Sequence, residues 1–150
     1  MRTKRLRAVA LALGLALALS GCPKDPYRAA IQGSDDVAQA VSAAIPFIAQ
    51  YYSAGKLNDQ EKAQAAGYLQ SVTQANQTFR HAVVAAHNSG VKGNASYVAL
   101  AQAFVNSVPT DPRAFNYKST DAQKQFNTVL GAVKASLDAI VVLIQNGKVA

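Results

Sequence analysis

Residues 119–147 read STDAQKQFNTVLGAVKASLDAIVVLIQNG. Within them Phe126, Leu130, Val133, Leu137, Ile140 and Ile144 recur at steps of 4, 3, 4, 3 and 4. An α-helix turns once in 3.6 residues, so side chains at this rhythm fall on one stripe. Alternating steps of three and four make the seam of a helical bundle. Ser119 or Thr120 can supply the N-cap, and Gly147 the stop. The run Ile140-Val141-Val142-Leu143-Ile144 has the composition of a strand. It lies inside the seam, however, and is read as the most buried part of the helix.

A seam needs partners, and the residues upstream offer three. Asp25-Pro26 suits a helix start, with Asp as N-cap and Pro at the first helical position. The first helix is expected from Pro26 to Ser53, loosened near Gly33, where Ser34-Asp35-Asp36 offers a second start. Its stripe is Val37, Val41, Ala44, Ile48 and Tyr51, and Pro46 should kink it. Ala54 to Leu57 is a turn. Asn58 and Glu61 have the spacing of a capping box before a second helix, Asp59 to Asn88. That helix has Ala66, Leu69, Val72, Phe79, Val83 and Ala86 as its stripe, and Ser89-Gly90 as its end.

Asn94 can cap a shorter third helix, Ala95 to Ser107, with Val98, Ala101, Phe104, Val105 and Val108 as its apolar face. Pro109 stops it, and an irregular loop leads to the last helix. Short connections favour antiparallel neighbours. The expected fold is therefore all-α: an antiparallel up-down bundle of three long helices and one shorter helix, covering residues 26–150.

The N-terminus is of another kind. Arg2, Lys4, Arg5 and Arg7 precede an apolar run from Ala8 to Leu19, the order of a secretory signal. The run is shorter than the roughly 20 residues that a membrane-spanning helix needs. It ends in Leu19-Ser20-Gly21-Cys22, and Cys22 is the single cysteine of the chain. This resembles the lipobox of bacterial lipoproteins. The resemblance implies a cleaved signal at 1–21, a lipidated Cys22 and a tether at 22–25. It implies attachment to the membrane through acyl chains on Cys22, facing the periplasm. In that family Asp after the Cys favours the inner membrane. Pro23 stands there instead, so the outer membrane is expected in a Gram-negative host.

Composition then excludes several classes of function. The formal charge of +7 includes the four basic residues of the signal, so the mature chain carries +3. Its Lys and Arg residues are scattered rather than set in a basic stripe, which argues against nucleic acid as a partner. Glu61 is the only Glu and Met1 the only Met, so a ferritin-like di-metal site or a haem site lacks ligands. His81 and His87 are six residues apart, about 240° around a helix, and cannot share a metal. No nucleophile elbow or phosphate loop occurs. Asn76-Gln77-Thr78 and Asn94-Ala95-Ser96 match the glycosylation triplet by chance.

The chain is accordingly read as non-enzymatic, without cofactor or metal. Its expected role is binding or structural, with an envelope protein as partner. The alternative is a carrier holding a small apolar ligand between the helices. The candidate partner site is the end of the bundle that holds Tyr51, Tyr52, Arg113, Phe115 and Tyr117. The third helix is too short to cover its neighbours, so the loop 109–118 should fill the gap. Phe115 and Tyr117 would be its plugs.

Overall fold

The computed structural model describes residues 25–111 and 115–146. The expected signal at 1–21, Cys22 and Arg113 therefore lie outside the described residues, as does Gly147. Four helices are present: α1 (Pro26–Ser53), α2 (Asp59–Asn88), α3 (Asn94–Ser107) and α4 (Thr120–Asn146). No strand occurs among the described residues, and the protein is an all-α bundle.

Local chemistry sets most helix ends. Asp25 accepts a hydrogen bond from the Tyr27 N–H at 3.1 Å, with Pro26 opening α1. Asn58 and Glu61 form a reciprocal capping box on α2. The Asn58 side chain accepts from the Glu61 N–H at 2.9 Å, and the Glu61 carboxylate from the Asn58 N–H at 2.8 Å. Gly90 takes the left-handed conformation that closes α2, with φ of 79°. Ser119 rather than Thr120 caps α4, accepting from the Ala122 N–H at 3.3 Å. The cap expected at Asn94 is not made. Asn94 is the first residue of α3, and its amide donates instead to the Ile144 carbonyl at 3.2 Å.

All six residues of the α4 seam are buried. The run Ile140–Ile144 is not uniformly so: Ile140 and Ile144 are fully buried, while Val142 is 54% exposed. Helical phase overrides composition there, because Val142 falls between the two seam positions. The phase of α2 also differs from the expected one. Ala65 is buried and Ala66 exposed, so the stripe reads Ala65, Leu69, Val72, Asn76, Phe79, Val83. This is again 4-3-4-3-4, with a polar residue in one seam position. The amide of Asn76 is buried and donates to the Ser34 carbonyl on α1 at 3.0 Å.

Helix α1 is the spine, and it packs most extensively on α2 and α4. Residues near its start meet residues late in the other two. Asp35 pairs with Arg80 of α2, and Gly33 lies against Ile140 of α4. The helix is not loosened at Gly33. It runs unbroken through that residue, which is buried because the neighbouring helix is close. A Cβ at Gly33 would collide with Ile140 Cγ1. Gly33→Ala should therefore destabilise the fold by about 1–3 kcal/mol through overpacking, despite the better helix propensity of Ala. Ile140→Ala removes the clashing atom. In thermal melts the double variant should lose less than the two single losses added together.

Short α3 fills the space beside α2 and α4 only towards the start of α1. Phe104 stacks on Phe79 with ring centroids 4.9 Å apart, and Tyr97 donates its hydroxyl to the Val91 carbonyl at 3.0 Å. The other half of that space has no helix, and the loop after Pro109 enters it.

Candidate functional site at the loop end

The loop end gathers the close of α1, the turn at 54–58, the start of α2, residues 115–118 and the start of α4. Lys56 of the turn pairs with Asp121 of α4 at 2.7 Å. Both side chains are exposed, so this contact contributes little to stability, about 0–1 kcal/mol.

The stronger tie is Glu61. One carboxylate oxygen closes the capping box with Asn58, and the other accepts from the Lys118 N–H at 2.7 Å. A single buried side chain thus fixes the start of α2 and the last residues before α4. The hydrogen bonds from the Asn58 and Lys118 backbones hold its carboxyl below the usual carboxylate range. Beside it, the Tyr117 N–H donates to the Gln123 side chain at 2.8 Å, which fixes the exit of the loop.

Phe115 and Tyr117 plug the open half of the bundle. Phe115 meets Phe126 edge-on at 4.8 Å and Tyr68 at 5.2 Å, and Tyr117 meets Phe126 at 5.2 Å. Edge-to-face rings at these separations stabilise beyond their burial alone. Tyr117 is only 5% exposed, whereas Phe115 is half-buried. Burial, with the charge of Glu61 added, raises the Tyr117 pKa. Burial pushes the Tyr68 phenol up to about 12.

Tyr51 and Tyr52 sit on the α1 side of the same end and join a different set of contacts. Tyr51 packs on Phe47 at 4.4 Å. Tyr52 is exposed, donates its hydroxyl to Asp59 at 2.6 Å and has the Lys62 ammonium 3.9 Å above its ring. The bond to the Asp59 carboxylate raises its phenol pKa. Phe115 and Tyr117 thus close the core around Phe126, Tyr51 packs on the core beside Phe47, and Tyr52 alone lies at the surface.

A shallow open groove lies where the loop meets α4, lined by Thr110, Asn127, Leu130, Gly131 and Lys134. Elsewhere His87 stacks on Tyr27, with centroids 3.9 Å apart, and His81 is exposed. No group of three His, Cys, Asp or Glu residues among those described could hold a metal ion.

No known family model matches the chain, and neither does any curated protein or solved structure.

Two members of this end escaped the sequence reading. Tyr68 lies beside the α2 stripe, three residues after Ala65 and four before Val72, and is buried with it. The bond from Lys118 to Glu61 had one signal: Glu61 is the only Glu in a chain that fills its polar surface with Gln, Asn, Ser and Thr.

Proposed function

We propose that the chain is a membrane-anchored lipoprotein of the cell envelope, with a non-enzymatic binding or structural role towards an envelope protein. The observation that carries this reading is Leu19-Ser20-Gly21-Cys22 after a basic and apolar leader, with the only cysteine at the junction. Cleavage before Cys22 would leave residues 22–25 as a short tether to α1, which begins at Pro26.

The apolar character of α4 is compatible with this. By length and composition that helix could cross a membrane. Its seam residues pack into the bundle core instead. Two or more acyl chains on Cys22 would then supply the membrane affinity, at about 0.8 kcal/mol per buried methylene.

In this reading α1 rises from the membrane in an antiparallel, up-down bundle, and the loop end faces away from it. The exposed part of that end is Tyr52 with Asp59 and Lys62, next to the Lys56–Asp121 pair. Tyr is enriched at binding hot spots, and a rigid bundle holds it in place.

Cys22→Ser tests the anchor, since a hydroxyl cannot replace the thiol in thioether formation. The variant should lose labelled fatty acid and leave the membrane fraction. A variant that stays fully membrane-bound would contradict the proposal.

A further inference from the structure

The end where α1 begins is drawn together by contacts among all four helices. Tyr27 of α1 stacks on His87 of α2, with ring centroids 3.9 Å apart. Tyr97 of α3 donates to the carbonyl of Val91, in the turn between α2 and α3. Asn94, at the start of α3, donates to the Ile144 carbonyl near the end of α4. Burial, and after it the charges of Asp25 and Tyr27, raise the Tyr97 phenol pKa, so these three also stand together.

This end differs from the rest of the bundle in charge. Arg28 in the first turn of α1 and Lys92 in the turn before α3 are exposed there, and neither makes an ion pair among the described residues. Basic side chains elsewhere have acids beside them. Lys56, Arg80 and Lys134 are bound by Asp121, Asp35 and Asp138. Lys62 lies over the Tyr52 ring whose hydroxyl Asp59 binds. Lys118 stands close enough to Glu61, and Lys124 to Asp121, for their charges to act. At the end where α1 begins, the one described carboxylate is Asp25, and it is engaged with the Tyr27 N–H. The next acid on α1, Asp35, is about 15 Å further along the helix, and Asp138 is about 12 Å from the end of α4. In sequence, Lys24 directly precedes Asp25, and Lys148 follows α4 by two residues.

We propose that this end of the bundle docks on the anionic headgroups of the membrane that holds the anchor, through Arg28 and Lys92. The inference rests on the lipid reading of Cys22, and the tether selects the occupant. Cys22 is three residues from Asp25, a span of at most about 10 Å. A charge acts over roughly 8–10 Å at physiological salt, so the tether holds this end where lipid phosphates are felt. The loop end, about 40 Å away along α2, lies outside that range. Tyr27 adds a half-buried ring at the level where membrane proteins concentrate Tyr.

Each basic side chain near an anionic surface shifts the equilibrium towards contact by about fivefold, and two by about 25-fold. That is too little to hold a chain without acyl groups on a membrane. It is enough to keep an anchored bundle standing on this end instead of swinging on its tether.

The test uses the full chain, matured in producing cells and reconstituted in vesicles of phosphatidylethanolamine and phosphatidylglycerol. Acylated Cys22 is no longer a thiol, so one added cysteine carries a fluorophore. Ser89→Cys reports the docked end, and Gln60→Cys, exposed about 43 Å away on α2, reports the other. A quencher on the lipid headgroups should quench position 89 about fivefold more than position 60. Arg28→Glu with Lys92→Glu should lower quenching at position 89 about threefold or more and leave the melting temperature unchanged. High salt, or phosphatidylcholine in place of phosphatidylglycerol, should do the same. Lys62→Glu with Lys124→Glu, an equal change of charge at the loop end, should leave position 89 as it was. Quenching at position 89 that ignores the charge of Arg28, Lys92 or the lipid would overturn the proposal, as would equal quenching at the two positions. Quenching at position 89 that is lost as protein density rises would give the face to a second copy and overturn it too. The same vesicles judge the anchor separately. A chain that does not float with them ends the lipid reading and this inference together, whereas one that floats but ignores charge ends this inference alone.

Discussion

Leu137→Ala should lower the stability of the fold by about 2–5 kcal/mol. Leu137 is fully buried in the middle of the α4 seam, between Val133 and Ile140. Removing its branched end takes apolar surface out of the core and leaves a cavity. A rigid bundle can only partly collapse into it, so the loss exceeds the transfer term alone. Out of a typical total of about 5–15 kcal/mol, that is a large share. In urea denaturation the midpoint should fall with little change in slope. Val142→Ala, five residues on and 54% exposed, should stay within about 0.5 kcal/mol. A larger loss at Val142 than at Leu137 would mean that α4 presents a different face to the core.

Glu61→Ala should cost about 2–4 kcal/mol, a large effect for a polar side chain. It removes an ionised acceptor from two backbone N–H groups, those of Asn58 and Lys118. Hydrogen bonds to a charged group contribute about 1.5–3 kcal/mol each, and donors left buried without a partner add to the loss. Glu61→Gln should lose roughly half as much, because its amide keeps one acceptor oxygen. The carboxyl is lowered by those two backbone bonds, with the Asn58 bond the larger cause. Its contribution is therefore complete above the ordinary Glu pKa of about 4.3 and is lost as pH falls through the lower folded value. The stability gap between wild type and Glu61→Gln should be full at pH 7 and shrink in strong acid. A gap independent of pH would show that the carboxylate charge is not what ties the loop to α2.

Much of this fold was legible in the sequence because its helices announce themselves locally. The bounds of α1 and α2 follow from Asp25-Pro26 and from Asn58 with Glu61, where side chains satisfy the first backbone donors. The α4 seam was plain because every one of its positions is apolar. Where the reading failed, tertiary contact had changed the meaning of a residue. Asn76 is polar, and the apolar stripe expected for α2 leaves it out and takes Ala66 where Ala65 is buried. The Asn76 amide finds the Ser34 carbonyl across the interface, a partner that no local pattern reveals. Gly33 looked like a weak point and is a point of close contact, because Ile140 sits where a Cβ would be.

The loop end shows the same division. The shortness of α3 predicted a gap, and Phe115 and Tyr117 do enter it. That Tyr51 and Tyr52 belong to separate contacts could not be read from spacing, since it depends on which side of α1 each ring leaves. The staple from Glu61 to Lys118 joins residues 57 apart in sequence, and only the packed bundle brings them together.

The mass of the first peptide of the mature protein tests the central claim most directly. Trypsin cutting after Lys24 releases Cys22-Pro23-Lys24 with whatever the cysteine carries. The account predicts a chain that begins at Cys22, with a diacylglyceryl thioether on sulfur and a further acyl group on the new amine. A mature chain that begins elsewhere, or one that begins at Cys22 with a free thiol, would contradict it.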